Sequence, residues 1–296
     1  MVMAFFCLLY FLFYIIVVYM KLLFFICRIL AIITIVISFS GCSNQWHPDP
    51  IEDVNDLKGR RVGVNLSWEA DYILTPRKDM EIFRYDSTSD LLLALQYNKI
   101  DAIAVDLLMW NLLEDNSTGL LHIEPAFATT GYTYYISGDR EDIKDEYNDF
   151  LKQFKTTDTY RDFIERENSF DGYYDYDIPL TGTGKVLKVA MESASFPRSY
   201  LDPGETIPKG FDLEPLKHFA NQYNYQLDFY PSYYDDIVLG LVNGLYDIGV
   251  GYLSEVYRSE VNGRNIFLAD PFDEVPLYFV QKSEADFEVD ISAVED

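Results

Sequence analysis

Polar and aromatic side chains follow two predicted strands in the earlier half of the chain, where they could contact a small ligand. Ser67, Trp68 and Glu69 come directly after the apolar strand 61–64, and Asp106 ends a second apolar strand. The N-terminus of a helix offers free N–H groups and a partial positive charge, which suits a carboxylate. Each residue also has a structural alternative: Ser67 and Asp106 can cap helices, and Trp68 can stack on a ligand or fill the edge of a cleft.

The later half offers a second set of candidates behind its own predicted strands. Its aromatic members are candidates for a cleft wall, with core packing as the alternative. The full set is Phe196, Arg198, Tyr252, Ser254 and Arg258.

The sequence gives little support to an enzymatic function. The three histidines, His47, His122 and His218, are far apart and form no H-E-x-x-H or paired metal-ligand spacing. There is no G-x-S-x-G, no phosphate-binding loop, and no cysteine after Cys42. Carboxylate pairs are so frequent that no glycosidase-like pair can be singled out. We therefore predict no catalytic residues, no cofactor and no metal.

The start of the chain resembles the export signal of a bacterial lipoprotein. The small pair Ser40-Gly41 precedes Cys42 after an apolar stretch, and the sequence turns polar at once with residues 43–45. Cys42 is thus the predicted lipidation site, the alternative being a transmembrane helix that contains a cysteine. The apolar leader is long, so translation starts either at Met1, with an extra membrane span, or at Met20, which is followed by a basic residue.

Charge argues against nucleic acid as a partner. The formal net charge is −25, and without Lys21 and Arg28 of the leader it falls to about −27. A polyanion would be repelled by such a chain. With 49% apolar and 16% aromatic residues, the exported part can form a hydrophobic core without disulfides, and it is long enough for two domains.

The chain contains two weakly similar copies of one pattern. Residues 90–101 match residues 236–247, with apolar positions at i, i+1, i+4 and i+5 and a final aspartate before a buried strand. Each copy predicts a short amphipathic helix, capped by Asp90 or Asp236. Further strand-like segments surround both copies. The predicted strands are 61–64, 81–85, 102–105 and 131–136 in the earlier half, and 187–190, 226–230, 248–250 and 276–281 in the later half.

Strands that alternate with helices imply βαβ units and mostly parallel sheets. The predicted fold class is therefore α/β, with two similar lobes and a site between them. A charged helical segment with core positions at Tyr147, Phe150 and Phe163 separates the halves. The predicted organisation is a leader 1–41, a lipidated tether 42–52, a lobe with a closing helix 53–168, a linker 169–185, a second lobe 186–283 and an acidic tail 284–296.

Six short motifs occur in register along the chain: Asp56–Val64, Lys99–Asp106, Phe196-Pro197, Gly210–Leu213, Ser232–Asp247 and Ala269–Phe272. Together they resemble family 3 of the bacterial extracellular solute-binding proteins, the periplasmic amino-acid receptors of ABC importers, which have the type II periplasmic binding fold. The later half resembles the first lobe of that family. The earlier half resembles its second lobe and closing helix. The lobe order is therefore either circularly permuted, or that of a truncated tandem protein.

The resemblance implies roles for individual residues. The Ser67 hydroxyl would contact a ligand carboxylate, Asp106 a ligand ammonium, and Arg258 would clamp the carboxylate. Glu255 stands where the family has a threonine, and its charge opposes an α-carboxylate. A cationic, sugar-like or peptide-fragment ligand thus stays open, with Arg198 as a substitute clamp.

The resulting prediction is a lipid-anchored protein of the cell envelope that captures a small polar, amino-acid-like ligand for an ABC permease. It would face the periplasm or the exterior and close by a hinge motion. Two alternatives remain: a non-transport sensor or regulatory lipoprotein with the same fold, and a component of a cell-wall lytic system.

Overall fold

The computed structural model describes residues 51–283 and 287–290. The predictions on the leader, on Met20 and on the anchor Cys42 lie outside these residues. The described residues belong to one compact unit. Within the described ranges, no helix is long and apolar enough to cross a membrane.

Strands and helices alternate along most of the described chain. The strands are β1 Arg61–Asn65, β2 Glu81–Tyr85, β3 Ala102–Asp106, β4 Ser117–Thr118, β5 Leu120–Thr130, β6 Tyr135–Ser137, β7 Val186–Met191, β8 Ala194–Ser195, β9 Ser199–Tyr200, β10 Gln226–Pro231, β11 Ile248–Val250, β12 Ile266–Leu268, β13 Val275–Lys282 and β14 Glu288–Val289. The α-helices are α1 Glu69–Leu74, α2 Thr88–Gln96, α3 Leu107–Asn116, α4 Glu141–Phe154, α5 Asp158–Asn168, α6 Glu214–Gln222, α7 Tyr234–Val242 and α8 Arg258–Val261.

Two five-stranded sheets form the centres of two lobes. The sheet of lobe A has the order β2-β1-β3-β13-β5, and that of lobe B the order β10-β7-β11-β6-β12. In lobe A, β13 is antiparallel to both of its neighbours, so the other four strands point the same way. In lobe B, β6 is the reversed strand. The predicted α/β class with two mostly parallel sheets is confirmed.

The chain crosses between the lobes twice, at residues 131–134 and 269–274. The crossing segments lie side by side: Phe272 N donates to Tyr132 O at 2.9 Å, and Tyr132 N donates to Asp273 Oδ1 at 2.7 Å. A β-carbon added at Gly131 would lie 2.6 Å from Pro271 Cβ, so this close approach requires glycine.

The crossings mean that the lobes differ from the predicted sequence halves. β6 lies in the earlier half but belongs to the sheet of lobe B, and β13 lies in the later half but belongs to lobe A. The prediction kept each strand within its own half because periodicity shows that a strand exists and not which strand it pairs with.

Local capping also differs from the expectation. Helix α2 begins behind Ser87, whose side chain accepts from Asp90 N, and α7 begins behind Tyr233. Asp90 and Asp236 therefore lie in the first turn, where their negative charge still interacts favourably with the helix dipole. The predicted single helix between the halves is two helices, because Thr157 caps a new helix after α4.

The predicted linker packs on lobe B. Phe170 is buried against Phe211, with ring centroids 5.7 Å apart, and the Tyr174 hydroxyl donates to Glu214 at 2.6 Å. The predicted acidic tail contains β14, which pairs with β4 of the earlier half. Both segments thus contribute to the folded unit.

Candidate functional site

A cavity of about 1020 Å³ lies between the lobes, at the carboxyl ends of their parallel strands. On lobe A its wall includes residues after β1 and β3, and on lobe B residues after β7 and β11. Open α/β sheets bind ligands at this edge because the strands end there and the loops can converge.

Six of the nine predicted ligand-binding residues line this cavity. Four come from lobe A and two from lobe B. They are Ser67, Trp68, Glu69, Asp106, Phe196 and Tyr252. The other three, Arg198, Ser254 and Arg258, are not part of its wall.

Arg198, predicted as a substitute clamp, is fully buried behind the cavity wall. Its Nη1 lies 2.7 Å from Asp273 and 3.0 Å from Asp212, and its guanidinium stacks on the Tyr132 ring at 3.7 Å. Glu167 Oε1 is 2.8 Å from the same Nη1, without hydrogen-bond geometry. Three carboxylates therefore hold this arginine at the crossing segments, outside the cavity wall.

Ser254 and Arg258 have other positions. Ser254 is buried, its Oγ lies 2.5 Å from Thr130 Oγ1, and it accepts from Val256 N at 3.3 Å. Arg258 is exposed at the start of α8. The clamp position of the resembled family is thus outside the cavity, together with Glu255, which is exposed.

Aspartates of the chain itself bind backbone N–H groups at the start of helix α3 and just before helix α1, next to the cavity. Asp106 Oδ1 accepts from Met109 N at 2.8 Å and so caps α3, which is the structural alternative predicted for it. Its carboxylate also lies on the cavity wall. Ser67 is not a cap: its N donates to Asp71 Oδ2 at 3.1 Å, and α1 is only six residues long. Neither helix start offers a site for an anionic ligand.

Glu69 is the most unusual group of the wall. Its residue is only 5% exposed, and its Oε1 has no hydrogen-bond partner within the described residues. The pKa of Glu69 is raised to about 7, mainly by burial and in smaller part by the nearby Asp106 carboxylate. A buried carboxylate with an unused acceptor indicates that a donor is missing from the site.

Sequence reasoning missed several lining residues. They share acidic or aromatic side chains and come from α1, the linker, the loop after β7, and the helices α7 and α8. They are Tyr72, Asp171, Tyr173, Glu192, Tyr234, Tyr257 and Glu260. Only Glu192 carries a usable signal, since it follows β7 as Leu66 and Ser67 follow β1.

Side chains connect the lobes across the cavity. The Tyr72 hydroxyl of lobe A donates to Glu260 Oε1 of lobe B, and this bond raises the pKa of Tyr72 to about 12. The Tyr234 hydroxyl, of lobe B itself, donates to Glu260 Oε2 at 2.9 Å. Tyr257 donates to Ser67 O at 3.3 Å. The lobes are therefore held together on this side by phenols and one carboxylate.

Two lining residues have left-handed backbone conformations that non-glycine residues seldom adopt. Ser67 has φ of 63° and Tyr252 has φ of 46°. Such residues cost free energy and tend to occur at ligand sites, where the surrounding structure holds them in place. Trp68 and Tyr252, from opposite lobes, have ring centroids 6.3 Å apart.

Comparison with known proteins adds structural likenesses of low similarity. No family model and no curated relative matches the chain. The probable amino-acid ABC transporter extracellular-binding protein ytmK of Bacillus subtilis is 11% identical, with a TM-score of 0.39 over 75% of this chain and 83% of that chain. A phosphate-binding protein of a Streptococcus pneumoniae ABC transporter is 11% identical, with a TM-score of 0.39 over 76% and 89%.

The chain has a similar TM-score with a domain of a transcriptional regulator. The cofactor-binding domain of the Cbl transcriptional regulator is 12% identical, with a TM-score of 0.37 over 80% of this chain and 85% of that chain. At such identities and TM-scores these likenesses carry no conclusion about the ligand. The two sheets, the two crossings and the cavity between the lobes define the class: a two-lobed α/β binding fold of the type II periplasmic kind.

Proposed function

We propose that this protein is an extracytoplasmic solute-binding protein that holds a small ligand between its two lobes. The cavity of about 1020 Å³ at the carboxyl ends of both sheets carries the proposal. Its volume is at the upper end of the usual range for small-molecule sites, about 300–1,000 Å³. The two short crossing segments allow the lobes to open and close by a hinge motion.

We further propose that Cys42 anchors the protein to a membrane by a lipid and that the bound ligand passes to an ABC permease. The apolar leader and the Ser40-Gly41-Cys42 sequence support the anchor. The resemblance of the sequence to family 3 of the solute-binding proteins supports the importer role. Mass spectrometry of the mature N-terminus tests the anchor, since a diacylated Cys42 would replace Met1 or Met20 as the first residue.

The experiment that tests binding is thermal unfolding of the full chain in a non-ionic detergent. The compounds would be amino acids, amines, short peptides and sugars. A ligand at about 100 times its Kd stabilises the folded state by about 2.7 kcal/mol. For a folded unit of this size, that corresponds to a rise of several degrees. A cooperative transition that no compound shifts would contradict the proposed function.

A further inference from the structure

Charge on the cavity wall limits what can bind there. Among the described lining residues there is no lysine, arginine or histidine, whereas there are five carboxylates: Glu69, Asp106, Asp171, Glu192 and Glu260. Removing several carboxylates from water next to an anionic ligand would cost free energy that no cation of the wall offsets. A ligand of positive charge would offset this cost, because an opposite charge nearby stabilises an ionised carboxylate.

Hydrogen bonds distinguish Glu69 from the other acidic groups. Glu260 accepts from two phenols, Asp106 caps α3, and Glu192 accepts from Ser195 at 3.0 Å. Oε1 of Glu69 accepts from no described residue although the group is 95% buried. Glu69 is part of the cavity wall, so a ligand in the cavity is the partner that we assign to its carboxyl group.

Aromatic rings surround the same part of the cavity. Trp68 precedes Glu69 in the chain, and Tyr252 faces Trp68 from the other lobe. The pKa of Tyr257 is raised by burial and, as the next cause, by the nearby charge of Glu69. The face of an aromatic ring attracts a cation, by about 0.5–2 kcal/mol depending on desolvation. Aromatic rings next to a buried carboxylate favour an organic cation, because the rings also cover the apolar part of such a ligand.

A bare metal ion fits this wall poorly. No three His, Cys, Asp or Glu residues in the described part of the chain lie close enough together to hold a metal ion. The carboxylates are instead distributed over a cavity large enough for a molecule with many non-hydrogen atoms.

We infer that the ligand is an organic cation, an amine, guanidine or quaternary ammonium compound, whose charged group binds to Glu69 between the aromatic rings of the two lobes. This inference rests on the proposed function and names the ligand class of the same cavity. It departs from the α-amino-acid clamp of the resembled family, whose arginine position lies outside the cavity.

Isothermal titration of the full chain in non-ionic detergent tests the inference. The cationic probes are choline, agmatine and spermidine. The neutral control is 3,3-dimethyl-1-butanol, which has the shape of choline without its charge, and the anionic control is L-glutamate. We expect at least one cationic probe to bind and both controls to fail. In Glu69→Gln the cation should bind at least tenfold more weakly, whereas Glu255→Gln, which removes an exposed carboxylate outside the cavity, should bind it as the wild type does.

Three results would overturn the inference. The first is that no cation binds, and the second is that Glu69→Gln binds the cation unchanged. The third is equal binding of choline and its neutral analogue. If L-glutamate or a neutral compound binds instead, the proposed function stands and only the ligand class is wrong. If no compound of any charge binds, the proposed function fails as well.

Discussion

Replacing Glu69 by glutamine should make the ligand-free protein more stable at neutral and alkaline pH than the wild type. Burial raises the pKa of Glu69 from 4.5 to about 7, so the folded state binds a proton that the unfolded state releases. Between these values the stability of the wild type falls as the pH rises, because the folded state must ionise a buried group. Glutamine stays neutral and has no such loss.

The magnitude follows from the same values. Moving the pKa of a carboxyl from 4.5 to about 7 disfavours its ionised form in the folded state by about 3 kcal/mol. The difference in unfolding free energy between Glu69→Gln and the wild type should therefore grow by about that amount from pH 4 to pH 8. For a unit of this size, the difference in melting temperature grows by roughly 6–12 °C.

Thermal unfolding followed by intrinsic fluorescence across this pH range measures the difference. Three neighbours also shift the pKa of Glu69: Asp106 raises it, and Tyr257 and Arg198 lower it. All three must therefore stay unchanged in both proteins. Glu255→Gln, at an exposed position, is the control and should follow the wild type at every pH. A constant difference between Glu69→Gln and the wild type from pH 4 to pH 8 would refute the reasoning.

Three further predictions concern the cavity and the hinge. Tyr72→Phe removes the hydrogen bond to Glu260 across the cavity and should weaken ligand binding about tenfold. Tyr234→Phe removes a bond within lobe B and should weaken binding less. A titration in which Tyr234→Phe binds more weakly than Tyr72→Phe would contradict this. Asp106→Ala should lower the unfolding free energy by about 1 kcal/mol through loss of the α3 cap, and Asp106→Asn should keep it. Equal denaturation midpoints for these two variants would show that the cap is not what Asp106 contributes. Arg198→Leu leaves buried carboxylates unpaired and should cost about 3–5 kcal/mol in chemical denaturation; a normal midpoint with lost binding would instead restore Arg198 as a clamp.

Local pattern was enough to predict the strands β1, β2, β3, β7, β10, β11 and β13, but it missed β5 and several short strands. Strands 81–85 and 248–250 have the predicted bounds, and the two repeat helices each start three residues before their predicted start. Apolar periodicity depends on residues close in the chain, so it survives without knowledge of the fold. The same reasoning placed Glu69 and Asp106 after strand ends, and the structure brings both to the cavity wall.

Only the tertiary structure decided which segments meet. The exchange of β6 and β13 between the lobes depends on pairing over more than 100 residues, which leaves no local trace. Tyr257 and Glu260 reach the cavity because both contact Tyr72 of α1 in the other lobe. Arg198 lies outside the cavity because three carboxylates that are distant in the chain surround its guanidinium. Composition and spacing determined an acidic, aromatic, two-lobed α/β protein. The burial pattern of the folded protein decided which carboxylate of the cavity wall, Glu69, has an oxygen without a hydrogen-bond partner among the described residues. Desolvation is a property of the whole fold and not of any one segment.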